Sequence, residues 1–153
     1  MSDIIAFETQ TPRMALPLLY PGQAQKEVFV NEALVRIDAL LHARIEAIAS
    51  APLSAPADGQ CWIVGENPVG EWVGKFGQIA CRAAGNWIFL VPRDGMSVTI
   101  GAGGQVLRYL SGTWTIPAPV PTPQGGTTID SQARAAVTAL IARLVTAGII
   151  PVT

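Results

Sequence analysis

Apolar and charged residues interleave with a helical period from position 21 to 49, PGQAQKEVFVNEALVRIDALLHARIEAIA. Val30, Leu34, Ile37, Leu41, Ile45 and Ile48 follow one another at spacings of four and three residues, which stacks them along one side of an α-helix. Lys26, Glu27, Glu32, Arg36, Asp38, Arg44 and Glu46 fall mostly elsewhere. Pro21-Gly22 supplies the break at which the helix begins. A helix over residues 21–50 would be about 40 Å long, more than the width of a small domain. Such a helix needs apolar partners beyond a local core. The seam Val30, Leu34, Ile37 and Leu41 is therefore the expected oligomer interface. Asn31, beside Val30, either fixes the register of that seam or is an ordinary solvated side chain.

Residues 1–20 read as an N-terminal arm. Ile4, Ile5 and Phe7 could dock it on a neighbour, and Pro12, Pro17 and Pro21 hold MALPLLY extended. After Ala49 the texture changes. SAPLSAPADGQ is a connector, and residues 51–117 read as a small antiparallel β domain. Strand candidates are the runs beginning at Gln60, Gln78, Asn86, Met96 and Gln105. Their separators, Ala84-Gly85, Arg93-Asp94-Gly95 and Gly101-AGG, offer the positive-φ positions of tight turns. A meander of five or six strands is the simplest arrangement. Residues 118–128 form a Pro/Gly linker. Residues 129–153 hold a second helix, Ser131 to Ala147, capped by Asp130 or Thr128, closed by Gly148 and stopped by Pro151. Its stripe Val137, Leu140, Ile141 and Leu144 is a second expected interface, because a helix beyond a linker lacks a partner in its own domain. The fold class is α+β.

One pattern recurs in the β section: Gly70-Glu71-Trp72, Gly85-Asn86-Trp87 and Gly112-Thr113-Trp114, with Gly59-Gln60-Cys61-Trp62 as a one-residue variant. Glycine turns the chain, and the indole that follows covers the end of the sheet and fills the core. The competing reading exposes Trp72, Trp87 and Trp114 as a platform for sugar rings.

Composition strengthens the case for assembly. Half of the 153 residues are apolar, 14% are charged, and the mean hydropathy is +0.37. A chain this short cannot hide that much apolar surface alone. No run approaches the roughly 18 apolar residues of a membrane span, so a membrane is not an expected partner. The net charge of −1 and the lack of a basic patch speak against nucleic acid. MSDIIAFE lacks the basic start and apolar core of a signal peptide, so synthesis in the cytoplasm is expected.

Chemistry is sparse. Cys61 and Cys81 sit in separate apolar runs, as buried thiols or as a disulfide; both readings stay open. No Cys/His set has metal-ligand spacing, so no metal or cofactor is expected. His42 is the only histidine and has no nucleophile or ligand partner nearby. Asp58, Glu66, Glu71 and Asp94 stand at turns, where acidic residues are expected without any catalytic role. No catalytic residue is assigned, and the chain does not read as an enzyme.

The block TPRMALPLLYPGQAQKEVFVNEALVRIDALL, then SAPADGQCWIVG and GEWVGKFGQIACRAAGNWIFLVPRDGM, resembles a domain-of-unknown-function family of prophage and gene-transfer-agent proteins in alphaproteobacteria. The resemblance covers Thr11 to about Trp114, and the terminal DSQARAAVTALIARLVTAGII is similar to terminal helices of phage fibre and tail proteins. It implies a virion component, most particularly the base protein of a gene-transfer-agent head spike that helps the particle engage host surface polysaccharide. On that reading the chain is a homo-oligomer, trimeric or pentameric. It would lie between a capsid or tail protein and a spike or fibre protein, and its size suits a base or adaptor better than a fibre tip.

Overall fold

The computed structural model describes residues 10–20, 22 and 26–151. Ile4, Ile5, Phe7 and the Pro21 break lie outside the described residues. The chain divides into two compact units, Met1–Pro92 and Arg93–Thr153.

The first unit begins with a loop that closes on itself. Gln10 bridges Pro17, the Thr11 N–H donates to the Leu16 carbonyl at 2.9 Å, and the Leu16 N–H donates to the Thr11 hydroxyl at 3.0 Å. The prolines keep this segment out of a helix. Helix α1 follows over Lys26–Leu40 and is about 22 Å long. It is half the expected length. His42 adopts φ 48°, and residues 44–49 form two short strands, β1 (Arg44–Ile45) and β2 (Ile48–Ala49). The last-turn carbonyls of a helix need outside donors. Here the Arg13 guanidinium supplies them: Nη1 reaches the carbonyls of Asp38 (2.8 Å) and Ala39 (2.9 Å), and Nη2 reaches that of His42 (2.9 Å). Ile45 and Ile48, which fit the helical spacing, are β-branched residues used in strands.

Strands β3 (Cys61–Val64), β4 (Ile79–Ala83) and β5 (Asn86–Leu90) complete a four-stranded sheet ordered β2-β3-β4-β5. β2 runs parallel to β3, with Ile48 opposite Ile63, and the other pairs are antiparallel. The β4–β5 hairpin turns on Ala84 and Gly85, both at positive φ, the left-handed pair that a two-residue hairpin requires. One face carries Trp62, Val64 and Ala80, packed with Trp72 from a 3₁₀ turn over Gly70–Trp72. The opposite face carries Cys61, Ile63, Ile79, Cys81 and Leu90, all buried.

In the second unit β6 (Ser97–Ile100), β7 (Gln105–Leu110) and β8 (Thr113–Thr115) run antiparallel in chain order. Ser111 and Gly112, again both at positive φ, turn the β7–β8 hairpin. Each unit thus has its own meander. The single continuous meander expected over 51–117 is interrupted at Val91-Pro92, where proline removes a ladder donor. Residues 117–127 are exposed and outside any helix or strand, and Gly125 and Gly126 turn the chain at positive φ. Helix α2 spans Ser131–Thr146 and is capped by Asp130, whose carboxylate accepts from the N–H groups of Gln132 and Ala133 at 3.0 Å. Its C-terminal end is seated on the sheet of its own unit. The Val106 N–H donates to the Gly148 carbonyl at 3.0 Å, and a Cβ at Gly148 would stand 2.6 Å from the Gly104 carbonyl oxygen. The helix expected to be without a local partner is therefore docked by main-chain contact, which only glycine allows.

Asp38 is 1% exposed and accepts from the Thr11 hydroxyl (2.8 Å), the Arg13 N–H (3.0 Å) and the Met14 N–H (2.6 Å). Asp38→Ala leaves those donors unpaired, and we expect it to lower stability by about 3 kcal/mol in urea unfolding. Faster proteolysis of residues 10–20 should accompany the loss.

Candidate functional site

The expected interface residues do not share one environment. Val30, Ile37 and Leu41 are 42%, 47% and 42% exposed, and Leu34 is half-buried. The side of α1 turned inward instead carries Asn31, Val35, Asp38 and Ala39, none of them exposed. Two of these are polar because they grip the preceding loop. The Asn31 carboxamide accepts from the Leu19 N–H at 2.8 Å and donates to the Leu19 carbonyl at 3.0 Å, imitating one rung of a β ladder. Asn31 is thus neither a register residue in a seam nor a solvated one. With two polar groups taking places on the inward side, several apolar residues of α1 are left outside. Val28, Phe29 and Leu40 join Val30, Ile37 and Leu41 among the exposed side chains, and Phe29 is 77% exposed.

The α2 stripe divides. Ile141 is buried, Leu144 is half-buried, and Val137 and Leu140 are exposed. The first two are the covered members of the stripe, and the last two remain available.

The tryptophans are mostly core. Trp72 is fully enclosed, Trp62 is buried, and Trp87 is partly covered. The three rings meet at centroid separations of 6.5 Å (Trp62–Trp72), 5.6 Å (Trp62–Trp87) and 5.0 Å (Trp72–Trp87), the last two edge to face. Trp72 cannot belong to an exposed sugar platform. Arg82 lies 5.3 Å from the centre of the Trp87 ring and Lys75 lies 5.2 Å from that of Phe89, two cation–π contacts within this unit. In the second unit Trp114 is half-buried against Tyr109, with centroids 5.1 Å apart. The four glycines of the repeated motif, Gly59, Gly70, Gly85 and Gly112, all take positive φ. The motif therefore marks turns, but Trp72 closes a 3₁₀ turn, not a strand start.

The remaining candidates have structural partners or none that suit chemistry. His42 is exposed at the end of α1, where its carbonyl serves Arg13. Asp58 accepts from the Gly85 N–H at 3.2 Å and so ties the connector to a hairpin turn. An open depression of about 270 Å³ is lined by Glu66, Asn67 and Phe76. Among the described residues no group of three or more His, Cys, Asp or Glu side chains could hold a metal ion, and no helix is long and apolar enough to cross a membrane. Cys61 and Cys81, far apart in the sequence, are register partners on β3 and β4; both are free and buried.

These features define an α+β protein of two small units, with an aromatic core in the first and apolar helix residues turned to solvent in each. The chain belongs to the DUF2793 family of proteins of unknown function, whose match covers residues 30–115, more than half of its length. The match runs from within α1 to the end of β8 and leaves out the loop carrying Arg13 as well as α2. A search of curated proteins finds no match.

Trp72→Ala should cost about 3–5 kcal/mol in thermal or denaturant unfolding, because it empties the centre of the aromatic cluster. Trp114→Ala, at a half-buried position, should cost clearly less. Equal costs would remove Trp72 from the role of core keystone.

Proposed function

We propose that the chain is a structural subunit that self-associates through the exposed apolar side of α1. It would form the base or adaptor of a head spike or fibre on a phage-like particle such as a gene transfer agent. The observation that carries this reading is the exposure of Val30 and Ile37, with Phe29 beside them, on a helix whose inward side includes polar contacts to the preceding loop, and of Leu41 just past its end. Apolar side chains at such density on one helix are costly in water, and a second copy of the same helix covers them symmetrically. Val137 and Leu140 on α2 give a second contact, to further copies or to a neighbouring protein. The particle setting rests on the sequence blocks from Thr11 to Trp114 and on the fibre-like terminal helix. A capsid or tail protein on one side and a spike or fibre protein on the other are the partners this role requires.

The competing reading, contact with host polysaccharide, would fall to Trp87 and Trp114, the two members of the proposed platform that keep some exposure. The apolar face of α1 would then have no part in it, so assembly is the better account.

Light scattering on the purified chain should give a small integral multiple of 16.1 kDa, three or five if the ring geometries suggested by the sequence hold. Val30→Asp combined with Ile37→Asp should reduce it to the monomer with an unchanged circular dichroism spectrum, since both positions are exposed in the single chain. A wild-type monomer, or an unchanged oligomer in the double variant, would sink the α1 interface. Absence of the chain from purified particles would sink the virion role.

A further inference from the structure

The two cysteines stand in a relation that the hydrogen bonds of β3 define. Along β3, alternate residues bond to opposite neighbours. On the β1–β2 side the Cys61 carbonyl accepts from the Glu46 N–H at 2.8 Å, the Ile63 N–H donates to the Ala47 carbonyl at 3.2 Å, and the Gly65 N–H donates to the Ala49 carbonyl at 2.8 Å. On the β4 side the Arg82 N–H donates to the Gln60 carbonyl and the Val64 N–H to the Gln78 carbonyl, both at 2.9 Å. Cys61 and Cys81 are therefore a non-hydrogen-bonded pair of an antiparallel ladder. In such a pair the Cα atoms lie about 4.5 Å apart and both side chains stand on the same face. That spacing lies inside the range a disulfide bridges without backbone movement, roughly 4.4–6.8 Å.

The two thiols are also neighbours across the ladder. The S–H groups donate to main-chain carbonyls, Cys61 to that of Gly59 at 3.6 Å and Cys81 to that of Arg82 at 3.8 Å, and the adjacent Cys81 thiol holds the Cys61 thiol below its ordinary range against the opposing effect of burial. The neighbouring Cys61 thiol, together with burial, pushes the Cys81 thiol up. Cys61 is accordingly the first of the two to act as a thiolate. Both side chains are almost wholly enclosed, at 0% and 2% exposure.

We infer that Cys61 and Cys81 are a redox-closable pair: open thiols where small thiols are in excess, and a cross-strand disulfide where small-molecule disulfides prevail. This inference goes beyond the assembly reading and does not depend on it. The oxidant is a low-molecular-weight disulfide of the glutathione class. The Cys61 thiolate attacks one of its sulfurs, forming a mixed disulfide and expelling one small thiolate, which takes the proton that Cys61 released. The Cys81 thiolate then attacks the Cys61 sulfur, forms the protein disulfide and expels the second small thiolate, which takes the Cys81 proton. Two protein thiols and one small disulfide become one protein disulfide and two small thiols. Because neither sulfur is open to solvent, the exchange belongs to folding or to local separation of β3 from β4. Closure would staple the two ends of residues 61–81, the loop that delivers Trp72 to the aromatic core.

The test uses the full chain, fully reduced, unfolded and refolded in mixed reduced and oxidised glutathione so that access is not limiting. Alkylation under denaturing conditions followed by peptide mass analysis should find a linked Cys61–Cys81 peptide in the monomeric chain and no free thiol. The melting temperature of the oxidised protein should lie on the order of 10 °C above that of the same protein held with a phosphine reductant. The C61S/C81S double variant should melt at one temperature in both buffers; if it does not fold, the wild-type comparison still decides. Two alkylatable thiols in the refolded protein, glutathione retained on one cysteine, or an oxidised form that melts no higher than the reduced one would each overturn the inference.

Discussion

The first unit depends on one reciprocal polar contact between Asp38 near the end of α1 and the loop that precedes the helix. The buried carboxylate takes the Thr11 hydroxyl and the main-chain N–H groups of Arg13 and Met14. The Arg13 guanidinium in turn gathers the carbonyls that the end of the helix leaves bare. Burying a carboxylate is costly, and three charge-assisted bonds offset that cost only because the loop holds its donors at fixed positions. The loop also lies against the connector, where a Cβ at Gly59 would stand 3.0 Å from Arg13 Cγ and 3.3 Å from Pro12 Cβ. Helix end, loop and β3 entry are thus settled together.

Two consequences follow from that contact. The helix stops at Leu40, which releases residues 44–49 to form strands and lets Ile48 and Ala49 pair in parallel with β3. The side of α1 turned inward is used for recognition of the loop through Asn31 and Asp38, so apolar residues that would ordinarily face a core face water. A helix with this many apolar residues turned outward is unfavourable for an isolated chain and well suited to one that meets copies of itself. That physical argument, more than any single residue, supports an assembly role for this DUF2793 protein.

The sheet of the first unit has two faces with different chemistry. One is the meeting place of Trp62, Trp72 and Trp87, where edge-to-face packing of large rings gives a small unit much of its buried apolar area. The other holds the two thiols among aliphatic side chains. A unit of this size has few ways to gain stability beyond its core, and a covalent link across β3 and β4 is one of them. Trp62 and Trp72 take the core role that the glycine–aromatic pattern suggests, while Trp87 and Trp114 keep some exposure.

Features set by the local chain were legible in the amino-acid sequence. Gly85 and Gly112 announce two of the hairpins, the alternate prolines announce the exposed segment, and Asp130 and Gly148 announce both ends of α2, because each acts through its own φ/ψ preference or a hydrogen bond to a near neighbour. The alternation of helical and strand patterns also indicates the α+β class, and composition indicates an excess of apolar residues. The tertiary structure decided what depends on distant partners. Residues 41–49 carry a helical period, yet Arg13 and strand β3 outweigh it, since intrinsic preference differs by less than about 1 kcal/mol per residue and tertiary contacts exceed that. Asn31 and Asp38 look like solvent-facing residues until Leu19, Thr11, Arg13 and Met14 stand against them. The division of the α2 stripe, the enclosure of Trp72 and the meeting of Cys61 with Cys81 are likewise matters of register and packing, which periodicity along one chain cannot encode.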